Sequence, residues 1–274
     1  MIFYKTVSAG NDFIQVDLEG LNLRDHREKE KLALALCHPK NGPGADGVIF
    51  RETKEENISF SIYNRDGTEA ELSGNGMAGC AAVLFYLKED GGSGAVTLST
   101  RVGDKNISLL EMKGNRFTLN VEIGAPDFTD RGFFPFLVEN KLDYPFEDIV
   151  FTPVSVGNPH VVVVLKEEIP QDALMKLGER LEGADIFPRR ANVEFVSRIG
   201  NGRCKAVYYE RGVGPTGSSS TGSAAIYAVM RKKGLVDNQL TIDTPMGLVK
   251  LSGTSKIYVE NYTEIVYKGI YLSK

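Results

Sequence analysis

The sequence predicts an α+β protein of two similar domains that face each other, each a mostly antiparallel sheet wrapped around one central apolar helix. Three observations predict it. A run of strand, strand, Gly-rich turn and apolar helix occurs over 1–88 and returns over 149–233. The helix closing each run is apolar nearly all round, as in AAVLFYL (81–87), and such a helix is normally enclosed. The repeated unit is too long for a solenoid, so it reads as a duplicated domain.

The elements follow in order. The alternation in MIFYKTV predicts a strand near 1–7, with further strands near 12–17, 46–51 and 58–63. A charged amphipathic helix is expected near 26–37 and the first apolar helix near 75–88. The acidic run around 54–56 reads as a solvated hairpin. Strands near 95–100, 106–112 and 116–123 complete the first half. Residues 125–147, rich in Pro, Phe and acids, read as a linker. Strands near 149–156 and 160–165, a helix near 171–182, strands near 192–198 and 203–210 and an apolar helix near 220–233 then repeat the pattern. That last helix ends in Arg231, Lys232 and Lys233 before Gly234, cations at the negative helix end and then a glycine stop. Short strands finish the chain, and TEIVYKGIYL (263–272) is expected to return to the first sheet, which needs closing. The domain boundaries predicted are 1–122 with the strand 263–274, and 123–262.

Composition narrows the function. The 274 residues carry a net charge of −4, which leaves no basic footprint for nucleic acid. No apolar run reaches membrane-spanning length, and the N-terminus reads as a strand rather than a signal peptide. Cys37, Cys80 and Cys204 are few and scattered, which fits a reducing cytoplasm without a disulfide framework. These cysteines and the three histidines show no metal-ligand spacing. His38, before Pro39, reads as a surface or capping residue, and His26 lies in a charged helix start. GNGMAG (74–79) and GVGPTG (212–217) are not dinucleotide fingerprints, because no parallel strand–helix–strand unit with a ribose-binding acid is expected around them.

The chemistry points to two turns, NRDGTEAELSGNGMAG (64–79) and ERGVGPTGSSSTGSAA (210–225). A Gly-rich turn that opens a helix aims backbone N–H groups outward at the positive end of the helix dipole, a ready site for a carboxylate or phosphate. Two such turns on facing domains would clasp one anion. The alternative is that Ser73 and Thr221 only cap their helices and the glycines only relieve turn strain. Each turn follows a polar strand end, Asn64–Arg65–Asp66 or Glu210–Arg211–Gly212, and that equivalence favours a shared site.

At these residues the sequence resembles the diaminopimelate epimerase family, over almost the whole chain. The matching segments are SAGNDF (8–13), GADGVI (44–49), NRDGTEAE-x-x-GNG (64–76), GNPHVV (157–162), FPRRANVEF (187–195) and ERGVGPT (210–216). The resemblance implies two pseudo-symmetric domains with the active-site cleft between them, and inversion of one α-carbon of diaminopimelate. It implies no pyridoxal phosphate, metal or nucleotide, hence no cofactor, and a small amino-acid substrate as partner rather than nucleic acid or membrane. The oligomeric state stays open, with a homodimer among the readings. By the same resemblance Asn64, Asn192 and Arg211 hold the distal amino-carboxylate end, and Asn11 and Asn158 are further substrate-site asparagines. Glu210 and His160 stand beside the reacting centre. Gly74 and Asn75, with Ser220 and Thr221, supply backbone donors for the α-carboxylate.

The family uses two cysteines, one thiolate taking the α-proton and one thiol returning a proton to the opposite face. Those positions fall on Ser73 and Ser219. A thiol ionises near pH 8.5 and lower still at a helix N-terminus, whereas a serine hydroxyl needs an adjacent base. The neighbours depart as well, at Met77, Ala78, Gly79, Gly217, Ser218 and Ser220, which reads as natural divergence rather than a pair of Cys-to-Ser changes. Cys80, well inside the apolar helix, reads as a small buried hydrophobe. Three readings follow: an epimerase of this type, an isomerase or lyase with one base acting on another amino-acid-like substrate, and an inactive binder.

Overall fold

A computed structural model describes residues 1–21, 23, 25–54, 57–167, 169–200 and 202–272. The chain forms two compact units, Met1–Glu122 with Glu260–Lys274, and Ile123–Val259.

The first unit runs β1 (Ile2–Ser8), β2 (Asn11–Asp17), α1 (His26–Cys37), β3 (Gly47–Lys54), β4 (Asn57–Asn64), β5 (Glu69–Ala70), α2 (Gly74–Leu87), β6 (Ala95–Thr100), β7 (Gly103–Lys113) and β8 (Arg116–Gly124). The acidic segment expected to turn between β3 and β4 includes positions 55 and 56, which lie outside the described residues. The second unit runs β9 (Tyr144–Phe146), β10 (Ile149–Ser155), β11 (Pro159–Val164), α3 (Gln171–Glu182), β12 (Asn192–Gly200), β13 (Arg203–Glu210), β14 (Gly214–Thr216), α4 (Ser220–Lys232), β15 (Gln239–Thr244) and β16 (Gly247–Ser252). The last strand, β17 (Ile257–Ile270), pairs antiparallel with β1 and so closes the first unit's sheet, as expected. It is fourteen residues long, where short closing strands were expected.

Pairing follows one plan in both units. β1–β2 and β10–β11 are antiparallel, β2–β3 and β11–β12 parallel, and β3–β4 and β12–β13 antiparallel. β4–β6 and β13–β15 are again parallel. This corrects one expectation: α2 and α4, the helices opened by the two Gly-rich turns, are each the crossover of a parallel pair. An antiparallel neighbour needs only a tight turn, but a whole helix between strands returns the chain in the same direction.

Each central helix is enclosed along nearly its whole length. Gly74 through Phe85 of α2 and Ser220 through Met230 of α4 are all buried. α1 is different: only Ala33, Leu36 and Cys37 are buried, and they join Phe3, Ile14, Val16, Val48, Phe50 and Tyr63 in a core cluster.

Residues 125–147 are not a linker. Phe133, Phe134, Leu137 and Tyr144 lie in the second unit's core with Phe151, Leu181, Phe187 and Phe195. Phe136 sits edge-on to Tyr144 and Phe151, at centroid separations of 5.0 and 6.2 Å. Such aromatic contacts add to the burial itself. The prolines and acids that suggested a linker stop regular structure without stopping packing. No helix among the described residues is long and apolar enough to cross a membrane.

Candidate active site

Both Gly-rich turns build the same cap. Ser73 (φ −143°, ψ 116°) accepts at Oγ from Gly76 N at 3.0 Å, and its carbonyl accepts from Met77 N at 2.9 Å. Ser219 (φ −141°, ψ 124°) accepts from Gly222 N at 3.2 Å, and its carbonyl from Ser223 N at 2.8 Å. The second cap is therefore Ser219, not Thr221, which lies inside the first turn of α4. Each serine satisfies the third N–H of its helix, ahead of which lie Gly74 and Asn75 in α2 and Ser220 and Thr221 in α4. These are the positions expected to receive a carboxylate. Gly76 and Gly222 are glycines for want of room. A Cβ on Gly76 would lie 2.9 Å from Ile49 Cδ1, and one on Gly222 would lie 2.7 Å from Glu194 Oε1.

In the first unit Asn75 turns its side chain inward. Its Nδ2 donates to Asn11 Oδ1 at 2.7 Å, and its Oδ1 accepts from Asn261 Nδ2 at 2.8 Å. Asn261 Oδ1 accepts in turn from Ser8 and from Thr263 Oγ1, the latter at 3.0 Å. This buried network ties the start of α2 to β1, β2 and β17. Asn64 ends β4 and donates to Thr68 Oγ1 at 3.0 Å. Arg65, the residue after it, is exposed and bonds Asp46 Oδ1 at 2.9 Å.

In the second unit the expected residues form two groups. Asn192 donates through Nδ2 to Pro159 O at 2.9 Å and accepts at Oδ1 from Arg211 N at 3.0 Å. Its amide therefore fixes the turn that carries Arg211, whose Nη1 reaches Arg189 O at 3.2 Å. Glu182 Oε1 accepts from Gly212 N at 3.1 Å, and its other oxygen holds Arg190. His160, fully buried, forms the second group. Its Nδ1 lies 2.7 Å from Glu194 Oε1 and its Nε2 2.9 Å from Asn158 Oδ1. Glu210 ends β13 as Asn64 ends β4, and it is partly buried.

Sequence reasoning missed Glu182, Glu194 and Asn261. Glu182 had a signal, since it continues the buried stripe Leu174, Leu177, Gly178, Leu181 of α3. Glu194 had another, a lone acid among the apolar residues of VEFV (193–196). Asn261 had none. It lies some 186 positions from Asn75, and only the fold joins them.

His38 caps α1, its Nδ1 accepting from Lys40 N and Asn41 N at 3.1 and 2.9 Å. His26 is exposed, near Glu69. The three thiols are buried, and burial pushes each up to about 12. For Cys80 the Arg51 charge opposes that rise without cancelling it. Cys80 is thus the inert hydrophobe expected. The native protein should consume almost no thiol-reactive dye near neutral pH, and three equivalents once unfolded. Rapid native labelling of one thiol would show an exposed, acidic cysteine instead.

The family profile described as diaminopimelate epimerase matches residues 3–129 and 152–269. A diaminopimelate epimerase of Methanothermobacter thermautotrophicus is 31% identical over 289 aligned positions, covering 99% of each chain. A probable proline racemase from Agrobacterium radiobacter superposes with TM-score 0.70 at 13% identity, covering 100% of this chain and 93% of that one. A phenazine biosynthesis protein from Bacillus anthracis superposes with TM-score 0.64 at 17% identity, covering 100% and 99%. The two structures share its fold; the profile and the sequence relative carry the assignment, by which this chain belongs to the diaminopimelate epimerase family.

Proposed function

We propose that the protein is a cofactor-independent isomerase that inverts the α-carbon of an amino acid of the diaminopimelate type, by proton removal on one face and return on the other. The observation that carries this reading is the repeated cap. Ser73 stands nine positions after Asn64, and Ser219 nine after Glu210, each opening a buried helix with nearly the same cap dihedrals. Deprotonation at the α-carbon pushes charge into the α-carboxylate, and helix N-terminal donors stabilise such charge. Arg211 suits the distal carboxylate, which a guanidinium can grip with two parallel bonds. A substrate fixed at that end presents its α-carbon in one orientation. With serine at both thiol positions, proton transfer passes to the remaining titratable residues, Glu210 and His160.

A second reading is favoured by those two serines and by the fold shared with the phenazine protein: an isomerase or lyase with one base, acting on another amino-acid-like substrate.

The test is exchange of the α-hydrogen of LL-diaminopimelate in deuterated water, with calorimetric binding beside it. Exchange and inversion are expected. Arg211→Ala should weaken binding by about 1.5–3 kcal/mol, the worth of a hydrogen bond to a charged group. Unchanged affinity in that variant would refute the role of Arg211. Binding without exchange would leave the inactive binder, and no binding by the parent would favour the second reading.

A further inference from the structure

The two units place different chemistry at one equivalent position beneath their central helices. SAGNDF (8–13) and SVGNPH (155–160) correspond, so Phe13 stands where His160 stands. Phe13 pairs across the parallel ladder with Gly47, and His160 with Asn192. Two residues along the partner strands, Ile49 and Glu194 approach the third residue of α2 and of α4. The fold therefore accepts an apolar pair here, Phe13 and Ile49. The second unit instead buries a histidine at 0% exposure and a glutamate at 1%. Burial of such groups is costly unless they are paired, and an apolar pair of similar size would avoid the cost.

Both groups facing the imidazole are acceptors. Asn158 presents its carbonyl oxygen to Nε2, so Nε2 carries a proton. The 2.7 Å contact between Nδ1 and Glu194 Oε1 then requires a second proton. Glu194 Oε2 has no hydrogen-bond partner among the described residues. Tyr208 lies against the same turn of α4, and burial pushes its phenol up. Its hydroxyl bonds Ser223 at 2.7 Å and brings no charge to the pair. The first turn of α4 lies on the carboxylate side, where the helix dipole favours negative charge.

We propose that His160 and Glu194 hold two protons between them, as an imidazolium on a carboxylate, and that Glu194 is the positioning residue that keeps the second proton there. A ring in this state has no lone pair with which to accept a proton. His160 is then not the base, which is another group. That division of labour rests on the isomerase reading; the proton count does not.

Nitrogen NMR of imidazole-labelled protein tests it. The chain has three histidines, and a His160→Gln variant assigns the signal. Two protonated ring nitrogens are expected for His160 in the resting protein at neutral pH. Glu194→Gln should strip one, because a buried imidazolium would have lost its counter-charge, and Glu194→Asp should keep both. A wild-type ring with one bare nitrogen overturns the proposal without recourse to any variant. A Glu194→Gln ring that keeps both protons, or a Glu194→Asp ring that loses one, overturns the role of Glu194. Absence of α-hydrogen exchange would count against the isomerase reading and leave the proton count standing, whereas a singly protonated ring would do the reverse.

Discussion

Replacing Ser73 and Ser219 together by cysteine should raise epimerisation of LL-diaminopimelate by about a hundredfold or more over the parent, since a well-placed acid or base contributes roughly 10²–10⁴ in rate. Each new thiol would stand at the N-cap of a long buried helix, where the dipole favours thiolate. The two positions differ in a way that the rates should report. Ser73 is partly exposed and borders the Gly76 site together with apolar Ile49, whereas Ser219 is 4% exposed and borders the Gly222 site together with the Glu194 carboxylate. A thiol at 73 should therefore ionise more readily than one at 219, and the Ser73→Cys single variant should be alkylated faster. The three resident thiols give little background, being buried and pushed up to about 12. One cysteine alone should give α-hydrogen exchange more than inversion, because the other face would still lack a good donor. The assay is racemisation of LL- and meso-diaminopimelate by the double variant beside the parent. A folded, substrate-binding double variant no faster than the parent would show that more than acidity is missing; a displacement of about 1 Å in the turns can itself cost roughly a hundredfold.

Local pattern carried most of the fold. The four helices of the described residues fall within one or two residues of where periodicity and caps place them, because each is long and begins after an Asp, Ser or Pro start signal. The errors came where long-range packing decides. Residues 125–147 have the composition of a linker, and only their aromatic partners on β10 and around Phe187 make them core. Strand direction was equally hidden. Nothing local distinguishes β4–β6 as parallel, since that depends on which strands become neighbours around α2.

The site divides along the same line. The capped turns were legible because capping is local chemistry. The functions of the asparagines were not. Asn192 spends its amide on Pro159 O and Arg211 N, and Asn75 spends its own on Asn11 and Asn261. A turn-forming, a ligand-holding and a network-forming asparagine look alike in sequence. The internal echo of SAGNDF in SVGNPH was available in the letters alone. It would have set Phe13 against His160, a buried histidine where the other unit has an apolar ring.

Glu210→Gln should lower α-hydrogen exchange in the parent by roughly 10²–10⁴, the usual worth of a positioned general base. Among the residues expected beside the reacting centre, the other candidates fall away. Ser73 and Ser219 each place Oγ on a backbone N–H, and a serine hydroxyl without an adjacent base is a poor proton acceptor. His160 meets an acceptor at both ring nitrogens, which on the proton count proposed above leaves no lone pair to use. Glu210 remains, a carboxylate at the end of β13, partly buried, one residue before Arg211. Gln keeps the shape and loses the charge, so substrate affinity should change little while turnover falls. The same substitution in the Ser73→Cys/Ser219→Cys background should cost less, because a thiolate would then share the work, and this non-additivity separates a base from a merely structural carboxylate. Exchange kinetics and calorimetry on the four proteins decide it. Equal losses in both backgrounds would assign Glu210 to holding the turn, and an undiminished rate in the parent would return the role of base to His160.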